Sequence, residues 1–394
     1  MVQRGMQLDI NFRGQANPAE VEKLLKDLIE IESINSFLPG ATTGEDRIGS
    51  YVLEYLTGIG VKCSKHEVLP GRFNVVGFLP GRTRDGLCFE THMDTVSVAN
   101  MQIDPFKAET REGNVYGRGS CDAKASLAAM MYAFKLLLRN KIQPATDIYL
   151  AAVVDEEHQY KGVTHLLRDG LTVSGAVVGE PTELKVVIAC KGVVRWKLHT
   201  LGKAGHSSRV DGRNAIYDMS EVMECIKKEL IPTYSKRTHS LLGSPTISVG
   251  VINGGTFVNI VPDKCAIEID RRLLPGETWE SVNAEFAPIL EKLQDKYGVE
   301  AVMESPFVID EAMETDGDEV VVKLAQNACK QVIGSSEVVG VSYGCDATKF
   351  HRADIPAVVL GPGNILHAHA AVEYVPLEDV LRASEIYAQM CTDY

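Results

Sequence analysis

Before residue 190 the apolar positions come in short, nearly unbroken runs: "FNVVGFL", "GLCFETH", "DIYLAAVVD" and "GAVVGE". Runs of that length predict strands buried on both faces. Between and before them the period lengthens to that of a helix. "NPAEVEKLLKDLIEI" predicts one, with Asn17 as N-cap, Pro18 in the first turn and Glu20 completing a capping-box pattern. "GEDRIGSYVLEYLTGIG" and "SLAAMMYAFKLLLRN" predict two more. Apolar runs alternating with helices imply an α/β layer around a largely buried sheet.

Near residue 190 the pattern changes. "VVRWKLHTL" alternates, with Val194, Trp196 and Leu198 on one side and Arg195, Lys197 and His199 on the other. "NAIYDMSEVMECIKKEL" sets Ile216, Met219, Met223, Ile226 and Leu230 on one helical face. "TISVGVING" and "CAIEIDRRLL" are alternating strands. "WESVNAEFAPILEKL" is a helix with Trp279, Val282, Phe286, Ile289 and Leu293 in a stripe, and "GVEAVMES" is a last strand. The order β-α-β-β-α-β predicts a ferredoxin-like α+β unit, with helices on one sheet face and the other open to a dimer contact. From about residue 305 the first pattern resumes, with the helix "DEVVVKLAQNACKQVI", strands "EVVGVS" and "IPAVVLGPG", and a final helix after Pro376. A chain that leaves a pattern and returns to it carries an inserted domain. The expected division is 1–189 and 304–394 for the α/β domain and 190–303 for the insertion.

Composition narrows the function. The 394 residues are 45% hydrophobic, enough for two ordinary domains with real cores. The formal net charge of −13 argues against nucleic-acid or membrane-surface binding. "MVQRGMQLDINFRG" has no apolar segment of signal-peptide length, and no run approaches a membrane span. The nine scattered cysteines form no CxxC and read as reduced thiols in a cytoplasmic protein.

The chemistry gathers at the ends of apolar runs. His92 and Asp94 close "LCFETHMD", and Asp122 lies in "GRGSCDAK" before a helix. Asp155, Glu156 and Glu157 close "LAAVVDEE", Glu180 closes "GAVVGE", and His367 and His369 follow "AVVLGPGNIL". In an open α/β sheet, strand ends on one edge are where ligands bind. Singly these are ordinary residues: a strand-end His is commonly a surface or satisfied core group, and "DEE" a solvated turn. Together they suggest one convergent site. Two histidines and several carboxylates without cysteine suit zinc or a similar divalent ion. His92 would be a ligand and the Asp94 carboxylate its tautomer-fixing partner.

These motifs resemble, in order and over nearly the whole chain, the di-zinc amidohydrolases that include acetylornithine deacetylase, succinyl-diaminopimelate desuccinylase, aminoacylase and glutamate carboxypeptidase. The resemblance implies a mixed-sheet zinc-peptidase catalytic domain with an inserted lid and dimerisation domain. "THMDTV" is similar to the first ligand motif, with His92 a ligand and Asp94 its orienting partner. "GRGSCDAK" implies Asp122 as the carboxylate bridging two metals. "DEEHQYKG" implies Glu156 as catalytic base and Glu157 as ligand, and "VGEPTEL" implies Glu180 as ligand. "HAAVEYV" points to His369 rather than His367. In the insertion, "GKAGHSS" gives His206 as oxyanion donor. "VNIVPDKCAIEIDRRLLPGE" gives Asn259 and Arg272 for the substrate carboxylate, with Arg271 beside Arg272 as a rival.

The implied cofactors are two divalent ions, zinc foremost, with cobalt or manganese as alternatives. The implied reaction is hydrolysis of an N-acyl-L-amino acid or short peptide by a homodimer, closest to acetylornithine deacetylase. Desuccinylase, dipeptidase and carboxypeptidase activities are the near alternatives. More distant ones are a serine hydrolase using Ser342 of "GVSYG" with Asp346 or Asp354, a phosphate cradle at "GRGS", and a non-catalytic binding protein.

Overall fold

The computed structural model describes residues 11–209 and 211–393. Residues 1–10, which include most of the stretch read as lacking a signal peptide, lie outside the described residues. The chain divides into two compact units. One comprises the chain up to Ile188, Thr315–Val339 and everything from Cys345 on; the other comprises Ala189–Glu314 and Gly340–Gly344.

The first unit is a mixed α/β layer. Its strands lie in the order Lys62–Leu69, Arg72–Leu79, Thr146–Val153, Thr83–His92, Gly175–Val178, Ala357–Val359 and Val186–Cys190. The four central strands are parallel, each to its neighbour, and antiparallel strands flank them. They are buried almost throughout, which explains their continuous apolar runs. The helix Lys124–Arg139 packs on two of these strands and is itself covered by Pro18–Glu30 and Leu377–Met390. That double cover is why it reads apolar all round. At the first helix, Asn17 caps as expected, accepting from the backbone of Ala19 and Glu20. Glu20 does not return to the N-cap. Its carboxylate accepts from the Tyr132 hydroxyl at 2.6 Å, a tertiary partner that local pattern cannot reveal.

The second unit is an antiparallel sheet in the order Thr246–Gly254, Lys264–Leu273, Gly192–Leu201 and Glu300–Met303, with Val308–Asp310 also paired to Gly192–Leu201. The helices Ala215–Cys225 and Trp279–Tyr297 complete a β-α-β-β-α-β succession. Val194, Trp196, Leu198, Ile267 and Ile269 pack beneath them. The opposite face carries ion pairs, Arg195 with Asp270 and Lys197 with Glu268. One helix departs from its expected face. Ile216 is exposed, and burial falls instead on Ala215, Met219, Val222 and Cys225. A π-helical turn over Ile226–Leu230 follows, and its wider period carries Ile226 and Leu230 back to the core.

All nine cysteines are free, and all but Cys63 are buried. Among the described residues no helix is long and apolar enough to cross a membrane.

Trp196 is fully buried in the second core and edge-on to Phe286 with centroids 5.3 Å apart. Trp196→Ala is expected to cost about 3–5 kcal/mol, read as a lowered midpoint in urea unfolding. A midpoint unchanged from wild type would mean this core is organised elsewhere.

Candidate metal centre

Parallel pairing places the ends of the four central strands on one sheet edge, and the chemistry follows from that register. His92 ends Thr83–His92, Asp155–Glu157 follow Thr146–Val153, and Glu180 lies just past Gly175–Val178. Ala357–Val359 leads through the turn Ile365–His367 to His369. Asp122 arrives separately, from the loop before Lys124–Arg139.

These groups meet around Asp122. One of its oxygens, Oδ1, lies 3.1 Å from His92 Nε2, which is also 3.6 Å from Glu180 Oε1. The other, Oδ2, lies 3.3 Å from His369 Nε2, which is 3.1 Å from Glu157 Oε1. The carboxylate therefore divides its two oxygens between two histidine–glutamate pairs. His92, Asp122 and Glu157 also offer ligand atoms within 4.8 Å of one another, close enough for one ion. His369 adopts a left-handed backbone, φ 59°, which turns its ring to the cluster. His367 instead stacks on Tyr374 at 4.1 Å between centroids.

The electrostatics favour cations. Burial, then the charge of Asp122, pushes the Glu180 carboxyl well up. Burial also raises Glu156 and Glu157; Glu180 adds to the rise at Glu156, and Asp122 adds at Glu157. Burial works to raise Asp122 too, but hydrogen bonds from His369 and His92 overcome it and hold that carboxyl low. Hydrogen bonds to Asp122 and Glu157 push His369 up to about 11. Two imidazoles cannot balance four carboxylates in a buried space, whereas divalent ions with nitrogen and oxygen ligands can.

Asp94 meets His92 through both its main chain and its carboxylate. His92 Nδ1 lies 2.9 Å from the Asp94 main-chain carbonyl and 3.6 Å from its carboxylate. The carbonyl is the nearer tautomer-fixing partner. The carboxylate is engaged by three other donors: the backbone N–H of Glu156 and of Glu157, both at 3.1 Å, and Asn35 Nδ2 at 2.7 Å. It thus ties His92's strand to the corner that bears both glutamates.

Several buried partners carried no signal in periodicity. Glu373 Oε1 accepts from the backbone N–H of Cys121 and Asp122, and its other oxygen is held by Arg118 at 2.6 Å. Arg118 also donates to Asn100 Oδ1, and Asn100 Nδ2 donates to the His369 carbonyl. Glu373 and Arg118 were visible only as letters of the "HAAVEY" and "GRG" motifs. Glu90 and Asp346 form a second buried acid pair; burial and Asp346 push Glu90 well up, while Asp346 rises to about 6 through burial. That placement removes Asp346 from the serine-hydrolase reading. Ser342 lies exposed in a bend after Val338–Val341, and the next helix starts only at Ala347, so no strand–nucleophile–helix elbow forms. Asp354 is exposed.

In the second unit, His206 is exposed on Gly205–His206, which pairs with Ile260–Val261. The N–H of Ser207 donates to the Asn259 carbonyl, so these two segments are joined. Arg271 and Arg272 separate by strand alternation. Arg271 lies on the buried face with Ile267, Ile269 and Leu273, fully covered and bound to Tyr234, Glu277 and Glu285. Arg272, on the open face, is part-exposed and reaches Asp270 at 2.9 Å.

A model of Peptidase family M20/M25/M40 matches residues 88–393. The chain belongs to that family. This M20-family member is a hydrolase of the peptidase class. Its relatives include the acetylornithine deacetylase of Myxococcus xanthus, 30% identical over 314 residues, covering 78% of this chain and 80% of that one. The fold is shared with aminopeptidase PepT from Bacillus cereus, TM-score 0.81 at 23% identity over 96% and 99% of the two chains. It is also shared with a Bacillus subtilis protein described as a dinuclear metal-binding peptidase, TM-score 0.72 at 16% identity over 95% and 97%.

The two arginines give a direct test. Arg271→Ala is expected to destabilise the second unit by about 1–3 kcal/mol, because it empties a fully buried guanidinium site beside Tyr234 and leaves the half-buried Glu277 and Glu285 with Arg237 as their remaining cation. Arg272→Ala should change stability by no more than about 1 kcal/mol. Thermal unfolding of both variants checks the order, and the reverse order would contradict the assignment.

Proposed function

We propose that this protein hydrolyses the amide bond of an N-acyl-L-amino acid or short peptide, with acetylornithine deacetylase-like deacylation the nearest reading. The observation that carries it is Asp122 dividing its oxygens between His92 with Glu180 and His369 with Glu157. Those five residues would hold two divalent ions, zinc by preference for a nitrogen- and oxygen-ligand set. Bound there, such ions supply Lewis acidity, lowering the pKa of a water and polarising the scissile carbonyl.

The chain's own residues supply the rest. Glu156 stands beside the cluster but outside the two pairs that share Asp122. It takes the proton from the attacking water and returns it to the leaving amine nitrogen. Glu157 is engaged in ligation and is a poor shuttle. His206 donates to the oxyanion of the tetrahedral intermediate. Arg272, exposed where Arg271 is not, pairs with Asn259 to hold the substrate carboxylate.

In the same reading residues 190–303 act as a lid and mediate homodimerisation. Exposed Tyr217, Phe257 and Val258 support that reading; they line a groove of about 720 Å³ in the second unit. The free cysteines fit a cytoplasmic enzyme.

The reading is tested with metal-loaded protein and a panel of acetyl-, succinyl-, formyl- and carbamoyl-amino acids plus dipeptides. Turnover of a panel member, abolished by a chelator, is expected. Glu156→Ala should lose about 10²–10⁴-fold in rate while keeping its metal. Glu157→Ala should lose metal content as well, measured by elemental analysis. Full activity in metal-loaded Glu156→Ala, or no turnover across the panel, would overturn the reading.

A further inference from the structure

The corner at residues 155–157 carries the proposed base and a proposed ligand on adjacent residues, and it begins in a left-handed backbone conformation. Asp155 has φ 68°, a left-handed backbone that L side chains other than Asn and Asp seldom adopt. Partners on its backbone and side chain fix such a corner in one arrangement. Here a buried charge network does so, and Arg72 is the cation within it.

Arg72 donates through two nitrogens to the Glu45 carboxylate, and through one of them also to Asp155 Oδ1 at 3.0 Å. A third nitrogen donates to Ser36 Oγ at 2.9 Å. Glu45 in turn accepts from the backbone N–H of Asp155 at 3.1 Å. The Asp155 backbone and side chain are thus both held by the same ion pair. Asn35 Nδ2 joins this network to the site, donating to Asp155 Oδ1 at 3.2 Å and to Asp94 Oδ2 at 2.7 Å. The Asp94 carboxylate then takes the backbone N–H groups of Glu156 and Glu157. Arg72, Glu45, Asn35, Asp94 and Asp155 are all buried.

We propose that Arg72 is a positioning residue for hydrolysis: through Glu45 and Asp155 it sets where Glu156 stands relative to the metal ligands. The inference rests on Glu156 being the base. Arg72 hydrogen-bonds to Glu45, Asp155 and Ser36, none of them a proposed metal ligand; it acts through the backbone of the corner. An arginine is required because its planar fork grips Glu45 with two nitrogens while one still reaches Asp155. A lysine is a single point donor and cannot hold both carboxylates in that geometry.

The test uses the full-length, metal-loaded protein and the best substrate of the panel, with Arg72→Lys, Arg72→Met, Glu45→Gln and Glu156→Ala in parallel. A displacement of about 1 Å at a catalytic group costs on the order of 10²-fold. The expected result for Arg72→Lys and Arg72→Met is a fall of about that size in kcat, KM unchanged and metal content unchanged at saturating metal. Glu45→Gln keeps the shape of its side chain while weakening the grip, and should fall in the same direction by less. It serves as the measurement if the Arg72 variants fail to fold. A folded variant with a lowered Tm but wild-type kcat would show a purely structural role and overturn the inference, as would a rise in KM with kcat retained. If metal-loaded Glu156→Ala is active, the proposed base itself has failed. If it is inactive while the Arg72 and Glu45 variants turn over normally, this inference alone has failed.

Discussion

Carboxylates crowded into a buried space repel one another, and the rest of the first unit is arranged around that repulsion. Asp122, Glu156, Glu157 and Glu180 stand at one sheet edge, with His92 and His369 as their ion-pair partners among the described residues. Burial and mutual charge push the three glutamates toward their neutral forms. Divalent ions reverse that tendency, because they replace repulsion among ligands with attraction to a common centre. Asp122 offers one oxygen to each histidine–glutamate pair, the arrangement that the two adjoining sites proposed above require.

Three parts of the cluster are held from behind by charged groups. Glu373, gripped by Arg118, accepts the backbone N–H of Asp122 and of its neighbour. Arg118 reaches the His369 segment through Asn100. Asp94 accepts the backbone N–H groups of Glu156 and Glu157 and stands two residues after His92. Main-chain donors aimed at buried carboxylates fix position without depending on long flexible side chains. The cluster therefore inherits the rigidity of the parallel sheet that carries it.

Much of the cluster could be read along the chain because the proposed ligands end apolar runs. His92, Glu157 and Glu180 sit where strands stop, and parallel pairing makes such stops coincide. Period-two alternation also separates Arg271 from Arg272, since Arg271 shares a face with Ile267 and Ile269; the motif drew attention to the pair and hid that parity. Other features had no local signature. Arg72 meets Asp155 across 83 residues, and Glu373 meets Asp122 across 251. Pairings at such separations leave no period to detect. His367 and His369 were indistinguishable as an alternating pair, and the left-handed turn at His369 decides between them. Ile216 was placed on the wrong face because a regular 3.6-residue period was carried toward a π-helical turn.

The central claim is that Asp122 serves two metal sites at once, one shared with His92 and Glu180, the other with His369 and Glu157. Counting bound metal per chain in purified, metal-saturated and desalted protein tests it most directly. The account predicts two ions in the wild type, one in His92→Ala, one in His369→Ala and none retained in Asp122→Ala. Retention of both ions by Asp122→Ala, in protein shown to be folded, would contradict it.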